Sequence, residues 1–148
     1  MRRRTAVMIA AGFAVFVFLG LSLLLARGLT GAGAERGEVL DVLEAQAAGD
    51  ADSVLEQLPA CRAEPACVQV TRARVRQLEQ QGAVEILNYR PSTQLSLTRR
   101  TGTGRVAWRA GAGRPVVQCV RVRREGPLTG AGVELLALSD PIGLEAGC

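Results

Sequence analysis

The chain has no lysine and no histidine, so all 18 of its basic side chains are arginines. Without histidine it lacks the side chain that titrates near neutral pH and serves most often as general base or metal ligand. Aromatics are scarce too, with one Trp, one Tyr and three Phe. All three Phe lie in the N-terminal apolar stretch, which leaves Tyr89 and Trp108 for the rest of the chain. No C-x-x-C is present, which removes the usual redox motif. Alanine, glycine, leucine and valine are abundant, as high-GC bacterial coding produces, so arginine in place of lysine carries no message of its own.

A chain of 148 residues suits one domain plus a targeting segment. Its formal charge of +4 is misleading. Setting aside Arg2, Arg3, Arg4 and Arg27, which flank the apolar segment, leaves 14 arginines against 14 acids. The remainder is neutral, and net charge gives no case for nucleic acid as a partner.

Ala6 to Ala26 contains no charged residue. A helix of that length spans about 31 Å, close to the hydrocarbon thickness of a bilayer. The expectation is a cytoplasmic n-region (1–5), a transmembrane anchor (6–26), a tether (27–35) and an exported domain (36–148). Arg2-Arg3-Arg4 would hold the N-terminus in the cytoplasm, which places a single-pass protein in the cell membrane with its domain outside. A cleaved signal peptide competes, because Ala32-Gly33-Ala34 fits a small-x-small cleavage site.

Beyond the tether, Val39, Leu40, Val42, Leu43 and Ala47 crowd one side of a helix that Gly49-Asp50 ends. Ser53-x-x-Glu56 reads as a capping box opening a second, short helix stopped by Pro59. A third helix would run to about Gln81, with Cys67, Thr71, Val75 and Leu78 at helical spacing and Gly82 as its stop. The period then changes to two. Strands are expected around Val84–Tyr89, Leu95–Leu97, Arg105–Arg109, Cys119–Arg123 and Val133–Ala137, each with one apolar and one polar face. The expected fold is α+β, with one N-terminal transmembrane helix and then three helices packed on one face of a curved antiparallel sheet of about five strands. Gly102-x-Gly104, Gly111-x-Gly113 and Gly130-x-Gly132 fall between expected strands and read as turns rather than phosphate loops.

Charge is segregated along the chain: residues 35–64 carry 8 acids and 2 Arg, and residues 65–124 carry 2 acids and 12 Arg. Acidic helices neutralising basic strands is one account. The other is an outer sheet face bearing Arg105, Arg109, Arg121 and Arg123 that meets an anionic partner, such as lipid headgroups, a wall polymer or an acidic protein.

The order of elements, with "GDADSVLEQL" opening the second helix, resembles the NTF2-like (cone-shaped α+β) superfamily from Arg36 to Asp140. Its bacterial members include anchored accessory proteins of lipid-transport systems, scaffold subunits of secretion machines, and soluble cyclases and isomerases. The enzymatic branch works through His/Asp or Tyr/Asp pairs. With no histidine and Tyr89 the sole tyrosine, the resemblance implies the accessory branch.

Cys61, Cys67, Cys119 and Cys148 all lie in the exported part, where an even count reads as two disulfides with three possible pairings. Cys61–Cys67 brackets a proline-containing turn, and Cys119–Cys148 follows partly by elimination. The chain-entropy model gives the two loops about 2.4 and about 3.6 kcal/mol. Zinc fits poorly, because C-x5-C is wider than the usual ligand gap. Tyr89 and Trp108 could line a pocket beneath the helices or simply fill the core. No assignable inward position carries an acid, so neither an enzyme nor a bound cofactor is expected. The expectation is a protein-interaction or accessory module of an envelope assembly, with a small-ligand or lipid carrier as the alternative.

Overall fold

A computed structural model describes residues 2–92, 101–124 and 132–148. Four helices precede four strands: α1 (Arg2–Ala47), α2 (Ala51–Glu56), α3 (Pro59–Arg62), α4 (Pro65–Leu78), β1 (Val84–Arg90), β2 (Thr101–Ala110), β3 (Val116–Arg124) and β4 (Val133–Leu138). The strands form an antiparallel meander in the order β1-β2-β3-β4.

The expectation of an anchored five-stranded fold is corrected in three respects. Among the described residues, no helix is long and apolar enough to cross a membrane. Residues 27–35, expected as a tether, lie within helix α1. Four strands are described rather than five, and the expected strand at Leu95–Leu97 lies outside the described residues.

Third, Gly102-Thr103-Gly104 sits inside β2 and not in a turn. A Cβ on Gly102 would come within 2.8 Å of the Ser92 side chain, and one on Gly104 within 3.0 Å of the Arg90 carbonyl. The glycines are there because the neighbouring chain passes too close for a side chain.

The helices also differ in detail. Asp50, not Ser53, caps α2: its carboxylate accepts from Ser53 N at 3.0 Å and from Ser53 Oγ at 2.6 Å. Those bonds favour the charged form, the side-chain one most, and hold the Asp50 carboxyl below its usual range. Pro59 does not merely stop a helix. It occupies the first turn of α3, just as Pro65 does in α4, where a missing N–H costs nothing. Helix α4 ends at Leu78, four residues before Gly82. Gly82 has φ +108° and a Cβ there would meet the Gly111 backbone at 2.8 Å, so its role is the contact of two turns.

The core lies between the helices and one sheet face. Val39, Val42, Leu43 and Ala47 of α1 pack with Val54, Leu55, Leu58, Val75 and Leu78 of the other helical segments. Val106, Trp108, Val120, Val122, Leu135 and Leu138 meet them from the strands. Period 3.6 in the helices and period 2 in the strands thus converge on one apolar layer.

Candidate interaction face

The inner face is closed by hydrogen bonding as well as by packing. The fully buried Trp108 donates its ring N–H to Gln118 Oε1 at 2.9 Å. Gln46 Nε2 donates to the same oxygen at 3.0 Å, and Gln118 Nε2 donates to the Ser139 carbonyl at 2.8 Å. Both glutamines are fully buried, and each would be costly unpaired. Trp108 is therefore a core residue with its polar atom satisfied.

Tyr89 has a different neighbour. Its hydroxyl donates to Glu35 Oε1, which also accepts from Ser92 N at 2.9 Å, while Ser92 Oγ donates to Glu35 Oε2 at 3.0 Å. Glu35 is fully buried, an inward acid that lies outside the inward positions assigned from the sequence. The signal was available: Glu35 lies four residues before Val39 and so on the same side of α1. The group ties α1 to the end of β1. An open groove of about 450 Å³ is lined by Glu44, Ala47, Glu79 and Val84, among others, and by neither Tyr89 nor Trp108.

All four cysteines are paired, Cys61–Cys67 and Cys119–Cys148, with Cα separations of 5.2 and 5.7 Å. The first joins α3 to the first turn of α4. The second fixes the C-terminal segment to the outer face of β3. That segment first extends along the sheet, with Ser139 N donating to the Cys119 carbonyl and Ile142 N to that of Val117. It then crosses to β2, where Arg105 donates from Nε to the Ala146 carbonyl at 2.9 Å and from its terminal nitrogen to that of Leu144. Val117 points to the outer side by strand alternation, yet is only 2% exposed.

The four expected arginines share this outer face but not one fate. Arg109 pairs with Glu85 at 2.8 Å and Arg123 with Glu134 at 3.1 Å. Arg105 is held by neutral carbonyls, and Arg121 is exposed with no ion pair among the described residues. The register adds Arg90, which stands directly opposite Arg105 and was not anticipated. Comparison of the chain with protein-family models, with curated proteins and with solved structures found no match.

Proposed function

We propose that the domain is a non-enzymatic, extracytoplasmic interaction module that docks a partner protein on the outer face of its sheet. The carrying observation is the contrast between a filled, hydrogen-bonded inner face and an outer face on which Arg90 and Arg121 are exposed with no ion pair among the described residues. Two disulfides support an oxidising compartment, where such bonds persist. The polar groups best suited to chemistry, Tyr89 and Glu35, are engaged with each other and with Ser92. This reading agrees with the accessory branch that the NTF2-like resemblance implies.

The test is cross-linking in cells from photoreactive residues placed at Thr103, on the outer face, and at Glu56, on the exposed side of α2. A discrete protein adduct from position 103 and none from position 56 is the expected result. Adducts from the helical side alone, or an enzymatic turnover lost on Tyr89→Phe, would overturn the reading.

A further inference from the structure

We propose that the outer face receives an extended acidic segment of a partner polypeptide, seated across Arg90, Arg105 and Arg121. This rests on the docking function above and specifies the partner's chemistry.

At both ends of the outer face, cations stand beside anions. Glu85 is the direct cross-strand partner of Arg109, and Glu134 that of Arg123. The middle band breaks that rule, because Arg90 is the direct cross-strand partner of Arg105. Arg121 lies on the diagonal, two residues along β3 from Cys119, which is opposite Arg105. None of the three has an ion pair among the described residues. Like charges facing each other across strands are destabilising, and a bound anion would remove that repulsion.

Spacing selects the partner. Direct and diagonal cross-strand positions lie about 5 and about 7 Å apart. Alternate side chains of an extended chain repeat every ~6.7 Å, so carboxylates at every second residue can match the band. Arg105 already donates from Nε and one terminal nitrogen to the Ala146 and Leu144 carbonyls, so it adds charge to the band while Arg90 and Arg121 offer the free donors. Exposed Leu144 lies beside it and Leu87 stands on β1, offering apolar contact to the residues between the carboxylates. Nucleic acids and anionic membranes are recruited by long-range positive fields. Beyond residue 27 this chain balances 14 Arg against 14 acids, and local complementarity to a peptide suits that balance better.

The experiment measures binding of a labelled peptide of alternating glutamate and threonine to the full chain, with a glutamine–threonine peptide and phosphatidylglycerol vesicles as comparisons. Binding to the acidic peptide alone is expected, weakening as salt rises. Arg90→Gln and Arg121→Gln should each weaken it about tenfold, the loss of one charge-assisted contact. Arg109→Gln and Arg123→Gln should stay within about threefold, since those cations already have partners. Arg90→Gln should also melt at or above the parent temperature, because it removes a repulsive pair.

Equal losses across all four variants, a lower melting temperature for Arg90→Gln, or preference for the vesicles would each overturn the proposal. If the peptide fails to bind while outer-face cross-links to a protein persist, the acidic-segment inference fails alone. If both are absent, the docking function fails with it.

Discussion

Trp108 and Arg109 are neighbours on β2 and live in different solvents. Trp108 is fully buried, its ring N–H bonded to a glutamine that is itself buried. Arg109 is 43% exposed, and its guanidinium rests on a Glu85 that is 60% exposed. One residue along a strand reverses the face, so a single chain segment serves a dry layer and a wet one. On the dry side polar atoms are few and each must be matched, because nothing else can satisfy them. On the wet side water screens every charge, so mismatches are tolerated there and can be retained for binding. The same strands thus separate stability from recognition.

Substitutions on the two sides should therefore differ greatly in cost. Trp108→Ala should destabilise the domain by about 3–5 kcal/mol, through a cavity and the loss of one of the two donors to the Gln118 oxygen. Denaturant unfolding measures it. A cost below about 1 kcal/mol would mean that the inner face is not the packed layer described.

The C-terminal segment is the one covalent link to the outer face, and it comes next in magnitude. Replacing Cys119 and Cys148 together by alanine releases a loop of about 30 residues and should cost about 2–4 kcal/mol. Amide exchange should then rise at Ile142, whose N–H bonds the Val117 carbonyl. An unchanged Ile142 would show that the segment holds its place without the disulfide.

Gln118→Leu tests whether the inner face needs its polar group. It removes the acceptor for Trp108 Nε1 and Gln46 Nε2, and about 1–3 kcal/mol should be lost. Gln46→Leu combined with Gln118→Leu should cost less than the sum of the two, because Gln46→Leu removes the side chain that Gln118→Leu deprives of its partner. Strict additivity would refute the network.

Much of this arrangement could be read from residue spacing. Alternation placed Val106, Trp108, Val120 and Val122 inward, and the helical period placed Val39, Val42, Leu43 and Ala47 against them. Proximity and elimination among four cysteines led to the observed disulfides. Gln118 has the parity of Val120 and Val122, so its inward position was also legible. Its polarity argues the other way, because a glutamine is stable in the core only with partners such as Gln46 and Ser139 beside it. Arg90 was not legible. The β1–β2 register slips between Ile86 and Asn88, and no local pattern announces that irregularity or the Arg90–Arg105 pairing it produces. Gly102 and Gly104 misled for a related reason: a close approach of chain and a turn both ask for glycine, and only the partner tells them apart.

The smallest expected effect belongs to the paired arginines of the outer face. Arg109 reaches Glu85 at 3.1 Å from Nε and at 2.8 Å from its terminal nitrogen, both on one carboxylate oxygen. Two bonds fix its direction, but with both partners this exposed the attraction acts largely through water. A double-mutant cycle with Arg109→Ala and Glu85→Ala should return a coupling of about 0.2–1 kcal/mol. It should shrink further in 1 M salt, where the screening length falls to about 3 Å. The Arg123–Glu134 cycle should behave alike, and slightly more strongly, because Glu134 is only 28% exposed. A coupling above about 2 kcal/mol, or one indifferent to salt, would mean that the outer face is shielded from water. The contrast with Trp108 would then lose its physical basis, since both sides of the sheet would be dry.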